Sequence, residues 1–504
     1  MTRNEHLLYI ECMNARIKLD KKDRDFFCNV HTVAFCNPFE TKSLELYRKI
    51  AGDKKDSDYI LREKVATAVS EKLKKISAKG NLNWQFLEGE EREYLRMAIL
   101  YDAYHKYFDE FEMLIVNQIA ADNVPCSVPF AQDTLSYLHQ NGFSKKEALH
   151  YFAFFYQLAR AWYFIYQGLI GRNPSIEKLR SDLWRNIFTY NSRWYEKLLW
   201  DRMEDFSTFL VGETGTGKGT AAKAIGRSGY IPFDQKKGCF AESFTRNFIE
   251  INLSQFPESL IESELFGHKK GSFTGAIGDH KGVFARCSRY GAIFLDEIGD
   301  ISIPVQIKLL KVIQERNFSA VGSHEKLHFH GRVIAATNKS LEELRRHGKI
   351  RDDFYYRLCS DIIVVPSLNQ QIAEDHNSII ILVEHVVQKI LGESAPEQLK
   401  HIMEILDKEI DSSYRWPGNV RELEQAVRRI LLTNHYSGEI YRSPDSMIEQ
   451  VQMAIKEGSL NAQELLCWYC SGLYQRHGTY EKVASITKLD RRTVKKYIMT
   501  VMQN

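Results

Sequence analysis

The sequence predicts a multidomain α/β protein with a mainly helical amino-terminal region, a parallel α/β sheet region and a carboxyl-terminal helix-turn-helix. Three observations support this prediction. The 504 residues leave room for about three domains, at ~100–200 residues each. Helical periodicity dominates the first part, whereas short β-branched runs alternate with helical segments after Gly171. A basic segment near the end of the chain has the pattern of two short helices around a turn.

Composition excludes several classes of protein. Hydrophobic residues make up 44% and charged residues 26%, which are ordinary globular values and not those of a fibrous or mostly disordered chain. The 68 Lys plus Arg and 65 Asp plus Glu give a net charge of +3, so any affinity for nucleic acid must come from a local basic patch. No apolar run is long enough to span a bilayer and no signal-peptide core is present. Nine cysteines without a dense spacing framework indicate reduced thiols, so we expect a cytoplasmic protein with no membrane partner.

The amino-terminal region, residues 1–168, has no repeat and no clear catalytic motif. Its periodicity predicts helices over Asp58–Ile76, Glu91–Ile119 and Lys145–Leu169. The last of these is rich in aromatic residues, which favours a buried packing helix over a ligand cage or a membrane surface. We expect a compact helical unit that is joined to the rest near Gly168–Pro174 and is separable from it.

Three groupings of cysteine and histidine are weighed as metal sites, namely Cys12 with Cys28, His31 and Cys36, then Cys467 with Cys470, then His328 with His330. The first could supply four zinc ligands, but small buried hydrophobic residues are the simpler interpretation because no second CxxC accompanies it. The second lies three residues apart on one face of a predicted helix, as expected of a packed core. The histidines are expected in a strand, without a partner set.

Five apolar runs predict the strands of a parallel sheet covered by helices, namely Ser207–Val211, Phe248–Asn252, Ala292–Leu295, Arg332–Ala335 and Ile362–Val365. Ligands of such sheets gather at the carboxyl ends of the strands. The candidate site is therefore expected at that edge.

A glycine-rich loop, GETGTGKG, follows the first of these runs and precedes a helical segment. Glycines permit the tight turn, successive backbone N–H groups and the helix amino terminus cradle phosphate oxygens, and Lys218 supplies a positive charge toward the terminal phosphates. The Ser or Thr that usually follows this lysine and binds Mg²⁺ is replaced by Gly219, with Thr220 next. Magnesium must therefore be held differently.

A pair of acids ends the apolar strand GAIFLDE. Asp296 can hold Mg²⁺ through water, and Glu297 is placed to polarise the water that attacks a γ-phosphate. A purely structural pair is disfavoured because unpartnered acids at a buried strand end cost several kcal/mol.

Further motifs follow in a fixed order. IESELFGHKKGSFTGA begins at Ile261, and VIAATN, IRDDFYYRL and RWPGNVRELEQ come after FLDEIGD. With the glycine-rich loop, these segments resemble the AAA+ domain of sigma-54-dependent transcription activators, the bacterial enhancer-binding proteins. The resemblance covers about residues 169–504 and implies a RecA-like parallel α/β core with a helical lid.

The resemblance implies the roles of individual residues. Asn252 corresponds to the switch residue that holds the catalytic glutamate, and Thr337 with Asn338 to sensor I. Arg351 and Arg357 correspond to arginine fingers that reach the γ-phosphate of the neighbouring subunit, where guanidinium groups stabilise spreading negative charge. The implied catalytic set is Glu297, Asp296, Asn252, Arg351, Arg357 and Asn338. The implied ATP-binding set is Ile170, Gly171, Gly212, Glu213, Thr214, Gly215, Thr216, Gly217, Lys218, Gly219, Thr220 and Arg421, the last as sensor II.

The loop that would contact sigma-54 is Gly271, Ser272, Phe273, Thr274, Gly275 and Ala276, with Ser272 where the family usually has Ala. The segment after Pro366, SLNQQIAED, replaces an arginine-rich version common in the family. Tyr190–Asp205 and Tyr230–Asn247 are insertions relative to the compact family pattern.

The segment Tyr480–Ile498 resembles the helix-turn-helix of the same family. It holds six basic residues and two acidic ones, and Asp490 is a good amino-terminal cap for its second helix. The residues expected to contact DNA are Lys488, Arg491, Arg492, Thr493, Lys495 and Lys496. A merely solvated basic helix is the alternative.

The resemblance therefore implies an ATPase that binds upstream double-stranded DNA, assembles as a hexamer and remodels sigma-54 RNA polymerase, with ATP and Mg²⁺ as cofactors. The expected domains are a regulatory region at 1–168 that responds to an unknown signal, an α/β ATPase subdomain at 169–367, a helical lid at 368–440, a linker at 441–460 and a DNA-binding domain at 461–504. The alternatives are a repressor that uses ATP only for assembly, and a protein-remodelling ATPase without a sigma-54 target.

Overall fold

A computed structural model describes residues 19–53, 56–78, 84–411, 413–438 and 461–502. The chain divides into two compact units, Met1–Tyr436 and Ser437–Asn504. Cys12 and the linker expected at 441–460 lie outside the described residues. Within the described ranges, no helix is long and apolar enough to cross a membrane.

The first part of the larger unit is helical, as predicted. Its helices are α1 Lys21–Ala34, α2 Thr41–Ala51, α3 Asp58–Ser77, α4 Gly89–Lys106, α5 Phe108–Ala121, α6 Ala131–Gln140 and α7 Lys145–Tyr166. A capping box begins α7, in which Ser144 and Glu147 exchange hydrogen bonds. The aromatic residues of α7 lie mainly in the core, including Tyr151, Phe152 and Tyr156, as the prediction of a packing helix requires.

The single helix expected over Glu91–Ile119 is wrong, because the structure breaks it into α4 and α5 at Tyr107. The backbone N–H of Tyr107 donates to His105 O. It therefore does not make the bond to the fourth preceding carbonyl that would continue the α-helix. Tyr107 is buried, and its ring stacks on Phe130 with centroids 6.2 Å apart. Tertiary packing of this ring thus accompanies a break that helical periodicity alone does not reveal.

The second part of the larger unit holds the predicted sheet. Its strands are β1 Thr208–Val211, β2 Phe233–Asp234, β3 Cys239–Phe240, β4 Phe248–Asn252, β5 Ala292–Asp296, β6 Asn317–Phe318, β7 Leu327–His328, β8 Arg332–Thr337 and β9 Asp361–Val364. Five of them form one parallel sheet in the order β4-β5-β8-β1-β9, while β2-β3 and β6-β7 are short antiparallel pairs. The five predicted apolar runs coincide with the five parallel strands.

In the described part of the chain, seven helices accompany the sheet, and four more follow it. They are α8 Pro174–Phe188, α9 Lys218–Gly226, α10 Glu258–Phe266, α11 Val283–Arg286, α12 Ile303–Glu315, α13 Leu341–Arg346 and α14 Asp352–Leu358, and then α15 Leu368–Glu374, α16 Asn377–Leu391, α17 Pro396–Glu409 and α18 Asn419–Thr433. A short helical segment, Ser192–Trp194, continues as a π-helical turn, Tyr195–Leu199, within the first predicted insertion. The last four helices share a hydrophobic core of their own, as a helical lid requires.

Helix α7 belongs to two cores. Phe152 packs against Phe233 and Tyr156 against Phe240, with ring centroids 4.9 and 4.0 Å apart, so the β2–β3 hairpin of the second insertion joins the amino-terminal core. Ala161 and Ile165, near the end of α7, lie instead in the core beneath the parallel sheet. Exposing a large buried apolar side chain costs about 1.5–3 kcal/mol. A cut at residue 168 would open both cores, so this packing does not favour a freely detachable amino-terminal region.

The smaller unit contains α19 Ala462–His477, α20 Tyr480–Thr487 and α21 Arg491–Met502. Cys470 is fully buried and packs with Val483, Val494 and Ile498, which agrees with the core interpretation of the CxxC pair. Lys488 ends α20 with φ of +57°, a left-handed conformation that favours glycine. Asp490 Oδ1 accepts a hydrogen bond from Arg492 N at 2.5 Å, as the predicted cap should.

The histidine and cysteine groupings carry no metal geometry. Within the described parts of the chain, no cluster of three or more His, Cys, Asp or Glu side chains could hold a metal ion. His31 packs edge-on against Phe35 and Tyr94, and burial lowers the pKa of its imidazole to about 4. Only His328 lies in a strand, since β7 ends there and His330 follows it.

Candidate functional site

The register of the parallel sheet brings the motif ends to one edge. Asn252 pairs with Asp296 across β4 and β5, and Val211 pairs with Thr337 across β1 and β8. The glycine-rich loop leaves β1 at this edge and enters α9 at Lys218. The sheet therefore assembles the predicted residues from separate parts of the sequence.

Two glycines of the loop adopt conformations that other residues avoid. Gly215 and Gly217 have φ of +78° and +100°. A Cβ at Gly215 would also collide with the carbonyl of Gly418, directly before the lid helix α18. The loop thus needs glycine both for its backbone turn and for the close approach of the lid.

Lys218 is held inside this loop. Its Nζ donates to Gly212 O at 2.8 Å and to Glu213 O at 2.9 Å, which leaves one of three ammonium donors free. The side chain is 7% exposed, and burial lowers the pKa of its ammonium. A phosphate oxygen beside Lys218 would accept the third hydrogen bond of the ammonium. Its negative charge would also stabilise the positive charge of the buried lysine.

Asp296 and Glu297 follow β5 at the same edge. Burial is the largest cause that raises the pKa of both carboxyl groups, and Lys218 opposes the rise in each case. Glu297 has φ of +56°, and its backbone N–H donates to Asp296 Oδ1 at 3.1 Å. A half-buried acid pair with raised pKa values is poised to gain from a cation and to accept a proton.

Asn338 connects the acid to the loop. Its backbone N–H donates to Glu297 Oε2 at 3.3 Å, and its Nδ2 donates to Thr214 Oγ1 at 3.0 Å. Asn252, which the resemblance assigns to holding Glu297, instead accepts hydrogen bonds from Ser254 N and Oγ at 3.0 and 2.7 Å. In this conformation Glu297 is therefore oriented by Asn338, and Asn252 caps the turn after its own strand.

Asn419, which the sequence analysis did not single out, ties the lid to the loop. This fully buried side chain donates from Nδ2 to Glu213 Oε2 and Thr214 O, both at 3.0 Å, and accepts from Leu368 N at 2.7 Å. Val420 N also donates to Gly215 O at 3.1 Å. Asn419 thus joins the loop, the first residue of α15 and the start of α18.

Replacing Asn419 by Ala should loosen the lid, since each buried partner left unpaired costs about 1–3 kcal/mol. We expect a lower unfolding temperature and weaker nucleotide binding, measured by thermal denaturation and by titration with a fluorescent ATP analogue. Asn434→Ala is the control, because Asn434 also has positive φ, +57°, but is exposed at the end of α18. Equal effects of the two variants on nucleotide affinity would contradict this role.

The other predicted nucleotide residues lie around the loop. Gly219 and Thr220 occupy the first turn of α9. Ile170 packs against the core of the lid, and Asn173, just after Gly171, donates from Nδ2 to Ser378 Oγ in α16 at 3.1 Å. Arg421 is exposed in the first turn of α18, and its charge acts on Lys218 and Asp296.

The two predicted arginine fingers lie at the two ends of α14. Arg351 precedes its first residue, and Arg357 lies in its last turn. Arg351 pairs with Asp353, with Nη2 2.7 Å from Oδ2, and its backbone N–H donates to Gln306 Oε1 at 3.1 Å. Arg357 is exposed, and its carbonyl accepts from Ser207 Oγ at 2.9 Å. Neither side chain has a recorded hydrogen bond to the glycine-rich loop or to Glu297.

The segment from Gly271 to Ala276 forms a small exposed loop. Gly271 N donates to Ala276 O at 2.9 Å, and Ala276 N donates to Phe273 O at 3.0 Å. Thr274 is exposed, whereas the ring of Phe273 contacts His268 with centroids 4.9 Å apart. The loop therefore exposes Thr274 at its tip, while Phe273 packs against His268 beside it.

Ser272 packs against a neighbouring turn. A Cβ at Gly322 would collide with the Ser272 side chain, so the position lies in close contact with the 320–323 turn. Ser272 Oγ is buried without a hydrogen-bond partner among the described residues. Only a small residue fits this position, and the hydroxyl adds no contact within the subunit.

The smaller unit presents a basic surface on α20 and α21. Of the residues predicted to contact DNA, Lys488, Arg491, Arg492, Lys495 and Lys496 are exposed, and Thr493 is half-buried. Arg491 pairs with Glu481, with Nη2 2.9 Å from Oε1. The predicted DNA-contact residues therefore share one short segment of the unit.

A glycine-rich loop between β1 and α9, with paired acids at the end of β5 on the same sheet edge and a helical lid that contacts the loop, defines the class of P-loop ATPases called AAA+. Residues 194–363 match the family model described as Sigma-54 interaction domain, and residues 374–457 match the AAA+ ATPase lid domain. Residues 194–363 therefore match the family that the motifs predicted.

Three relatives each match about half of the chain. Nitrogen fixation protein VnfA of Azotobacter vinelandii is 42% identical over 226 residues, which cover 45% of this chain and 40% of the relative. DNA-binding transcriptional regulator NtrC of Azospirillum brasilense is 36% identical over 274 residues, covering 54% and 49%. Regulatory protein AtoC of Escherichia coli strain K12 is 36% identical over 239 residues, covering 47% of each. The chain thus spans less than half the length of these relatives.

Proposed function

We propose that this protein is an ATP-hydrolysing transcription activator that remodels sigma-54 RNA polymerase. The observation that carries the proposal is the convergence of Lys218, Asp296, Glu297 and Asn338 on one glycine-rich loop, in a chain that also presents the exposed Gly271–Ala276 loop. The family match and the names of its relatives support the same reading. Polymerase and DNA lie in the bacterial cytoplasm, where we place the protein.

The chain's own residues supply binding, orientation and a base. Lys218 and the loop N–H groups bind phosphates, and the arginine in the lid, Arg421, adds charge from above. Glu297, oriented by Asn338, accepts a proton from the attacking water. Asn338 also donates a hydrogen bond to Thr214 of the glycine-rich loop. A change in this loop would therefore move Asn338 and, with it, Glu297.

Magnesium fits the donor set, although Gly219 offers no hydroxyl. Asp296 is a half-buried carboxylate with a raised pKa, and a nearby cation would stabilise its charged form. Asp296 would hold the ion through water. The ion would neutralise charge that develops on the β and γ phosphates.

The carboxyl-terminal unit is proposed to bind upstream double-stranded DNA as a helix-turn-helix. α21 begins after a three-residue turn, Lys488–Asp490, and carries exposed Arg492 and Lys495. Basic side chains at the start of such a helix can reach base edges and phosphates in the major groove. Its affinity should therefore fall steeply as salt concentration rises.

The active sites are proposed to lie between subunits of a hexamer. Arg351 and Arg357 are exposed, and neither has a recorded hydrogen bond to Glu297. Their exposure supports a role on the neighbouring subunit. Arg351→Ala and Lys218→Ala should each be inactive alone. When they are mixed in equal amounts, about one quarter of the interfaces should combine an intact Lys218 with an intact Arg351 and regain hydrolysis.

A second mixture controls for nonspecific rescue. Lys218→Ala mixed with Glu297→Gln should stay inactive, because both residues serve the same side of one interface. Phosphate release at several mixing ratios is the measurement. If subunits exchange and assemble, yet no ratio of Arg351→Ala and Lys218→Ala restores turnover, the finger does not act in trans.

Transcription from a sigma-54 promoter with purified polymerase tests the whole proposal. The full-length protein should drive open-complex formation only with hydrolysable ATP. A repressor that uses ATP for assembly would bind DNA and activate nothing. A remodelling ATPase with another target would hydrolyse ATP without sigma-54-dependent transcription.

A further inference from the structure

The carboxyl end of α9, the helix that begins at Lys218, is capped by side chains of the amino-terminal helix α7. Arg160 Nη1 donates to Arg227 O at 2.7 Å, and Nη2 donates to Gly229 O at 2.7 Å. Gln157 Nε2 donates to Ser228 O, between them, at 2.8 Å. Three successive carbonyls directly after α9, those of residues 227–229, are thus bound by one neighbouring helix.

Arg160 is placed there at a considerable energetic cost. It is fully buried, and no carboxylate pairs with it among the described residues. Burial lowers the pKa of its guanidinium to about 10, so it stays charged at neutral pH. The guanidinium also lies over the ring of Tyr156, with its carbon 4.5 Å from the centroid. Burying an unpaired cation is costly unless other groups replace water.

The helix itself supplies that replacement. The carboxyl end of a helix carries a partial negative charge and free carbonyls, both of which favour a cation. Helix α9 has nine residues and is about 13.5 Å long at ~1.5 Å per residue, so it is short enough to move as one rod. Its other end holds Lys218 against the glycine-rich loop. A shift of α7 at Arg160 must therefore be absorbed by α9 or passed to the loop.

We propose that Arg160 is a positioning residue of the ATPase, through which the amino-terminal helices set the position of α9 and of its Lys218. Gln157 shares this role. The inference rests on the proposed function, and it names the route by which a signal in the amino-terminal region would reach the nucleotide site. In this arrangement the amino-terminal helices form part of the ATPase framework and act on it by direct contact.

Full-length Arg160→Met tests the proposal, with Arg96→Met as the matched control. Arg96 is also a largely buried arginine of the amino-terminal helices, but it bonds to Tyr151 and Glu196 and does not contact α9. The first readout is hydrogen exchange of the α9 amides in the free protein, which should speed up at least about tenfold in Arg160→Met only. The second is steady-state hydrolysis, in which the KM for ATP should rise about tenfold while kcat changes less than about threefold.

Arg160→Lys should be intermediate, because a lysine keeps the charge but cannot bond two carbonyls in the fixed geometry of a guanidinium. If Arg160→Met does not fold, Arg160→Lys and Gln157→Ala decide by the same readouts. Parental α9 exchange and KM in folded Arg160 variants would overturn the proposal, as would equal changes in Arg96→Met. A parent protein that does not hydrolyse ATP would sink the proposed function, while the exchange comparison would still decide this inference.

Discussion

Replacing Glu297 by Gln is expected to reduce ATP turnover at least about 100-fold while leaving ATP binding within a few-fold of the parent. The amide keeps the shape of the side chain and its hydrogen bond from Asn338 N, but it cannot accept a proton from the attacking water. Phosphate release measures turnover, and titration with a fluorescent ATP analogue measures binding. Hydrolysis within twofold of the parental rate would show that another group is the base.

Asp300→Asn is the matched control for this change. It removes the same charge three residues later, but Asp300 pairs with Lys339 and does not bond to Asn338. We expect turnover within about threefold of the parent. The pH profile adds a further check: burial raises the pKa of the Glu297 carboxyl, so kcat should fall on acidification at a higher pH than an ordinary glutamate would give.

Replacing Thr274 by Ala is expected to abolish open-complex formation at a sigma-54 promoter while ATP hydrolysis and DNA binding persist near parental levels. Thr274 is exposed at the tip of the Gly271–Ala276 loop and contributes nothing to the nucleotide site. Hydrolysis produces work on a target only if the moving loop interacts with it. Paired ATPase and in vitro transcription assays on the same preparation separate the two activities.

Thr433→Ala controls for the loss of a threonine hydroxyl elsewhere on the surface. Thr433 is exposed at the end of α18, where its Oγ1 donates to Arg429 O at 2.8 Å. It should leave hydrolysis and transcription unchanged. Full promoter opening by Thr274→Ala would contradict the assignment of the loop, and parallel loss of hydrolysis would indicate that this threonine supports folding or assembly instead.

Packing of the amino-terminal helices changes what truncation should do. The sequence suggests a detachable region because residues 1–168 carry no catalytic motif. In the structure, Ala161 and Ile165 lie under the sheet, and Phe233 and Phe240 of the second insertion complete the amino-terminal core. A motif shows which segment carries a function. It does not show which segments share a hydrophobic core, because a core forms wherever apolar surfaces pack together.

Much of the site follows from the sequence because its determinants are local. Glycines fix the turn at 212–217, the apolar run before Asp296 fixes a strand, and Asp490 caps the helix that follows it. Parallel strands then place their carboxyl ends at one edge, so Asp296 and Lys218 had to meet once the strand order was set. Each of these features depends on neighbours within a few residues and on the general geometry of parallel sheets.

The sequence by itself therefore determined the class of fold, the glycine-rich loop, the acid pair and the exposed loop within residues that match a sigma-54 interaction domain. Only the tertiary structure decided that Asn419 links lid and loop, that Asn338 and not Asn252 orients Glu297, and that Arg160 caps α9. The physical reason is the separation of the partners: Asn419 and Glu213 lie 206 residues apart, and Arg160 and Arg227 lie 67 apart. A buried polar side chain must find its partner wherever packing places one, and no local pattern records that position.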